Sequence, residues 1–239
     1  MESDEIKAKR SVTSRIPTGI PGFDEMVEGG FERNSVVLVA GGCGTGKSTF
    51  CMQFLYEGAK RGEHGLYISL EERPEKIKRY MMRYGWDLNE LEYNGELKII
   101  RIPPEDILHV IKEQFSVIED VMREMNAKRV VIDSISTLHL LIPDSGERRK
   151  SVFKLCEWLE ERDCTSLIIE ESHGGFGDET TSPIEFLMDG VVKIYNIRKD
   201  AMRERAIEVL KMRGTDHMTK LAPFKFERGI KVFPKERIF

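Results

Sequence analysis

Apolar positions along the chain fall into two periods. Residues 35–40, 65–70, 97–102, 129–133 and 165–169 carry consecutive or nearly consecutive hydrophobic residues, many of them β-branched. Runs of this kind read as strands buried on both faces of a parallel sheet. Between them the spacing lengthens to three and four. Residues 49–57 follow the first strand with helical spacing. A helix from Pro74 to about Tyr84, with proline at its start, follows the second,. Ile107, Val110, Ile111, Phe115, Ile118, Met122 and Met125 form one stripe, which predicts a single long amphipathic helix,. Residues 147–161 put Val152, Leu155, Cys156 and Leu159 on one face. From 191 onward the character changes, and 191–197, 205–212, 224–226 and 230–233 read as antiparallel strands.

Alternating strands and helices predict an α/β fold. The expected architecture is a mostly parallel twisted sheet with helices on both faces and antiparallel strands at the C-terminal end. Residues 1–14 are polar and mixed in charge and read as a flexible arm. Residues 15–239 show no linker, repeat or low-complexity stretch and read as one domain,.

The most informative local motif lies between the first strand and the first helix. Gly41 to Ser48 reads G-G-C-G-T-G-K-S and fits G-x-x-x-x-G-K-[ST], a phosphate-binding loop,. Glycines let backbone N–H groups turn inward around an anion, and the helix N-terminus adds its positive dipole end. Gly42, Cys43, Gly44, Thr45, Gly46, Lys47, Ser48 and Thr49 are therefore the candidate nucleotide contacts. Lys47 is placed to reach the β- and γ-phosphates, and the Ser48 hydroxyl to bind Mg²⁺. The expected ligands are a nucleoside triphosphate and Mg²⁺.

Asp133 ends an apolar strand and is the candidate acid for holding Mg²⁺ or its water. Glu71 and Glu72 leave the carboxyl end of the second strand, where open α/β sheets place ligands. One of them, with Glu71 preferred, is the candidate base for the water that attacks the γ-phosphate. The run Lys211-Met212-Arg213-Gly214-Thr215-Asp216-His217 puts Lys211 and Arg213 on one face of a strand and Met212 on the other,. Far from Lys47 in sequence, these two cations could serve a neighbouring subunit's nucleotide, though composition alone favours an exposed basic strand edge.

Charge and composition narrow the picture. The 239 residues are 40% hydrophobic and 33% charged, with a net charge of −4. The global field does not favour nucleic acid. No apolar stretch approaches the roughly 20 residues of a membrane span, and the first ten residues lack a signal-peptide core. The expected compartment is the cytoplasm, with no membrane partner. Two glutamines against 41 acidic and 37 basic residues suit a protein from a hot environment,. Cys43, Cys51, Cys156 and Cys164 form neither a C-x-x-C pair nor a cluster with histidine, which argues against a disulfide framework or a zinc site,.

Five segments occur in a telling order: T-G-I-P-G-F-D at 18–24, G-G-C-G-T-G-K-S at 41–48, S-L-E-E-R-P at 69–74, R-V-V-I-D-S at 129–134 and L-K-M-R-G-T-D-H-M at 210–218. Together they resemble the RecA-superfamily ATPases of the KaiC type, including the stand-alone archaeal KaiC-like proteins, over residues 15 to 236. The resemblance implies a RecA-like core that assembles as a ring, usually a hexamer, with ATP between subunits. It implies that Glu71 and Glu72 activate water. It also implies that Lys211, Met212, Arg213, Thr215 and His217 reach the neighbour's nucleotide. Three places depart from the family. Glu185-Phe186 stands where autokinase members carry a Ser-Thr phosphoacceptor pair, so autophosphorylation is not expected. Glu170 stands where relatives carry a neutral polar sensor. The glycine-rich loop 172–178, with His173 and Phe176, lacks Lys and Arg, a poor platform for single-stranded DNA,. The function expected is an ATP-hydrolysing ring that passes its nucleotide state to another, unidentified protein. A recombinase-like accessory ATPase on single-stranded DNA and a nucleotide-gated scaffold remain the alternatives. A clock role is not expected from one ATPase unit.

Overall fold

The computed structural model describes residues 15–113, 115–172, 182–199 and 202–238. In chain order the strands are β1 (Arg15–Ile16), β2 (Phe31–Glu32), β3 (Val36–Gly41), β4 (Gly65–Ser69), β5 (Leu97–Arg101), β6 (Arg129–Asp133), β7 (Thr165–Glu171), β8 (Gly190–Lys199), β9 (Met202–Met212), β10 (Ala222–Phe226) and β11 (Ile230–Val232). The α-helices are α1 (Lys47–Lys60), α2 (Pro74–Met81), α3 (Leu88–Tyr93), α4 (Pro104–Lys112), α5 (Ser116–Glu124), α6 (Thr137–Leu141) and α7 (Ser145–Glu160). β1 and β2 form a small antiparallel pair. The others make one nine-stranded sheet in the order β11-β10-β9-β8-β3-β7-β6-β4-β5.

The core strands are hydrophobic on both faces because both faces are covered. In β3, Val37 and Val39 face the layer that holds Phe50, Phe54, Ile77 and Leu88 of α1, α2 and α3. Val36, Leu38 and Ala40 face the opposite layer, with Ile107, Ile118, Leu138 and Leu155 of α4 to α7. β3, flanked by β7 and β8, therefore sits at the centre of a doubly wound sheet, and its carboxyl end points into the crevice where such sheets bind ligands,. Gln53 of α1 ties this centre to both chain ends. Its amide donates to Gly19 O (2.9 Å) and Ile230 O (3.2 Å) and accepts from Ile230 N (2.7 Å). Arg129, wholly buried at the start of β6, pairs with Glu63 and donates to Pro17 O (3.0 Å) and Phe54 O (2.7 Å).

The architecture is the expected one, with three local differences. β8 is antiparallel to β9 but parallel to β3, so the antiparallel part begins one strand later than the pattern suggests. The connection from Glu171 to Gly190 is long enough for the crossover a parallel strand needs, which the sequence reading did not take into account. The stripe from Ile107 to Met125 is two helices. Phe115 adopts φ 62° between them, buries its ring against Trp158 (5.0 Å between centroids) and returns α5 to the same face. The apolar phase survives the break, so periodicity alone reads through it. The sequence reading also missed α3, although Asp87 and Glu90 give it a capping signal. Asp87 Oδ1 accepts from Asn89 N (3.0 Å) and Glu90 N (3.3 Å),.

The expected arm at 1–14 and the loop residues His173 and Phe176 lie outside the described residues. No helix among the described residues is long and apolar enough to cross a membrane.

Candidate active site

The site begins where β3 ends. All six residues of β3 are buried, and the chain turns from Gly41 through Gly46 directly into α1. Gly46 has φ 109°, and a Cβ there would lie 2.7 Å from Phe226 Cζ. Only glycine suits both conditions. No side chain caps α1, so the N–H groups of its first turn are open to an anion,. Lys47 is buried, and its ammonium donates to Gly41 O and Gly42 O, each at 2.9 Å. Thr45 Oγ1 donates to Gly42 O (3.0 Å). Gly44 and Thr49 line the same cleft, with Cys43 as an exposed thiol at its rim.

β6 delivers Asp133 to this loop. Ser48 Oγ donates to Asp133 Oδ2 at 2.7 Å, joining residues 85 apart in sequence. The Tyr67 hydroxyl donates to the same oxygen. Burial pushes the Asp133 carboxyl above the usual carboxylate range, while the hydrogen bonds from Tyr67 and Ser48 and the Lys47 charge hold it down. Burial and the adjacent Asp133 push the Tyr67 phenol well up, so it stays a donor,. A hydroxyl and a carboxylate side by side suit Mg²⁺, which takes one or two carboxylates beside phosphate oxygens and retains waters. The residues present fit that ion.

The two glutamates separate. β4 and β6 are parallel neighbours with Ser69 opposite Asp133, so Glu71 emerges beside the acid. Thr137 Oγ1, at the start of α6, donates to Glu71 Oε1 (3.0 Å). Glu72 instead pairs with Lys76 one turn along α2 (2.7 Å), while Ser69 Oγ holds its carbonyl (2.8 Å). Glu71 is thus held by a neutral hydroxyl, whereas Glu72 is engaged by a cation.

The Lys211 run is not brought to this loop. Along β3 and β8, Val37 pairs with Gly190 and Gly41 with Ile194. On β9, Met212 pairs with Gly190 and Ile207 with Ile194. Met212 is therefore level with Val37, four residues back from Gly41, or about 13 Å along the strand,. At that opposite edge Lys211 Nζ donates to Met188 O (2.6 Å), and Arg213 pairs with Asp189 (3.1 Å) and donates to Phe186 O (3.4 Å). Thr215 accepts from Arg15 Nη1 (2.6 Å), and His217 Nδ1 lies 3.3 Å from Met218 O.

The family profile described as ATPase: KaiC matches residues 16–237. The chain belongs to the KaiC ATPase family. A UPF0273 protein of Thermotoga maritima is 34% identical, over 93% of this chain and 97% of its own. The circadian clock protein KaiC3 of Synechocystis is 32% identical over 94% of this chain, which spans 46% of that longer protein. The crystal structure of a KaiC-like protein from Pyrococcus horikoshii superposes with a TM-score of 0.81 at 36% identity, covering 93% of this chain and 100% of that one. Membership supports an ATP-binding, RecA-type ATPase, and the Pyrococcus horikoshii neighbour comes from a hyperthermophile.

Several residues in or behind the cleft escaped the sequence reading. Thr137 carries the hydrogen bond to Glu71, but a threonine after an apolar strand has no distinguishing pattern. Phe226 of β10 and Glu171 of β7 line the cleft, and only the sheet order brings them there. Tyr67 sits inside an apolar run and reads as core.

Proposed function

We propose that this chain binds Mg²⁺·ATP in the cleft at the carboxyl end of β3 and hydrolyses the γ-phosphate. The observation that carries the reading is the Ser48–Asp133 hydrogen bond, which joins the phosphate loop to the strand-end acid. Lys47 and the amides of the first turn of α1 bind phosphate, and Ser48 and Asp133 hold Mg²⁺, which neutralises charge on the phosphates. Glu71, held by Thr137, accepts the proton of the attacking water,. Lys211 and Arg213, on the far edge of the sheet, serve the nucleotide of a neighbouring copy in a closed ring, with Thr215 and His217 beside them,. The nucleotide state is passed to a protein partner. Glu185, buried and paired with Lys193 (3.1 Å), takes no phosphate.

Titration calorimetry with ATP and Mg²⁺, followed by phosphate release, tests the reading. Lys47→Ala abolishes measurable binding. Glu71→Gln keeps binding and loses hydrolysis by about 10²-fold or more, while Glu72→Gln loses little. The mass of the chain after incubation with ATP is unchanged. Wild-type turnover in Glu71→Gln would remove the assigned base, and a wild type that takes no ATP would end the reading.

A further inference from the structure

We propose that Tyr67 is a positioning residue for the Mg²⁺ corner of the cleft: its hydroxyl fixes the Asp133 carboxylate by one oxygen and leaves the other to the ion. This deepens the Mg²⁺·ATP reading and rests on it.

The position itself calls for hydrocarbon. Tyr67 lies mid-strand in β4, fully buried, between Leu66 and Ile68, and packs in the layer with Phe50, Phe54 and Val131. A phenylalanine ring fills the same space. Only the hydroxyl departs from that packing, and a buried hydroxyl needs a partner. The partner it has is the carboxylate at the end of β6, two residues further along the parallel neighbour from Val131, the register mate of Tyr67.

The arrangement around Asp133 is one-sided. Both side-chain donors, Tyr67 and Ser48, land on Oδ2, and Oδ1 takes no hydrogen bond from a described residue. Asp133 also lines the cleft. Ser48 belongs to the phosphate loop and serves phosphate and ion as well. Tyr67 belongs to the rigid centre of the sheet, so its hold on Oδ2 does not depend on the loop. Partners of this kind, one step behind a metal ligand, orient it, and their loss typically costs about 10- to 100-fold in metal affinity. The competing account is that Asp133 merely satisfies a buried hydroxyl. The two accounts differ in what removing that hydroxyl does to Mg²⁺.

The test is calorimetric binding of a non-hydrolysable ATP analogue to the full chain, in Mg²⁺ and in EDTA. The proteins are wild type, Tyr67→Phe, Asp133→Asn and the double variant. In Tyr67→Phe, the gain in affinity that Mg²⁺ confers falls about tenfold, and affinity in EDTA is unchanged. In the Asp133→Asn background, Tyr67→Phe has no further effect. A Tyr67→Phe chain with the full wild-type Mg²⁺ gain overturns the proposal. So does an equal loss in Mg²⁺ and EDTA, or a loss that adds in full to that of Asp133→Asn, since either marks a packing role alone. A wild type that binds the analogue in neither condition overturns the nucleotide reading and this inference with it. Binding in wild type without a Mg²⁺ gain overturns the ion's place and hence the role of Tyr67, but leaves the phosphate loop standing.

Discussion

Gly46 is where the phosphate loop tolerates no side chain. Its φ of 109° is costly for an L-residue, and a new Cβ would meet the edge of the Phe226 ring, itself packed by Phe224 and Tyr84. Gly46→Ala is therefore expected to lower stability by at least about 1–2 kcal/mol from the left-handed backbone alone. It is also expected to weaken ATP binding more than tenfold, because relief requires the loop to move. Thermal melting and calorimetry check both. At this scale the sequence was eloquent wherever chemistry is written in local spacing, as in the phosphate loop. It was silent where one atom decides. Nothing around Tyr67 marks its hydroxyl, and the sequence could only prefer Glu71 over Glu72 without showing what parts them. Thr137 and Lys76 separate them, from 66 residues away and from the next turn of helix.

At the scale of elements, the head of β7 carries an acid on each face. Glu171 faces the cleft. Glu170 is buried on the other side, where Ser182 Oγ donates to it (2.8 Å), His139 lies 3.8 Å away and the Glu185–Lys193 pair and Arg148 are near. Burial raises its carboxyl above the ordinary value near 4.5, against the Ser182 hydrogen bond and the Lys193 and Arg148 charges. A raised carboxyl means that the folded chain holds the proton more tightly than the unfolded chain. Its stabilising contribution is complete below the unfolded value and fades as pH rises through the folded one. Glu170→Gln, neutral at every pH, is expected to melt above wild type at pH 7–8. The two proteins converge near pH 4. A wild type that melts higher at pH 8 would mean that Lys193 outweighs burial. The same scale explains why one stripe became α4 and α5: Phe115 keeps the hydrophobic phase while turning the chain.

For the whole molecule, the distance between Lys47 and the Lys211–Arg213 pair sets what one chain can do. The register puts them at opposite edges of the sheet, so the cations cannot act on phosphates bound to their own loop. Assembly of identical copies in a ring would place one edge against the other. Lys47→Ala and Arg213→Ala are each expected to be inactive alone. Mixed in equal amounts, they should recover up to about a quarter of wild-type hydrolysis, the share of interfaces that pair an intact loop with an intact arginine. No recovery under conditions of subunit exchange would place Arg213 outside the reaction. Light scattering with and without nucleotide gives the assembly directly.

The chain's own letters determined the class of fold, the phosphate loop and the candidate acids, because each is a local matter. Burial on two faces writes consecutive apolar residues, and a phosphate cradle needs glycines at fixed offsets. Strand order, the parallel run of β8 and the meeting of Ser48, Tyr67 and Asp133 on one oxygen were decided only by tertiary structure. The reason is physical: pairing between strands distant in sequence depends on how whole faces pack, and a carboxylate's partners depend on which strands become neighbours.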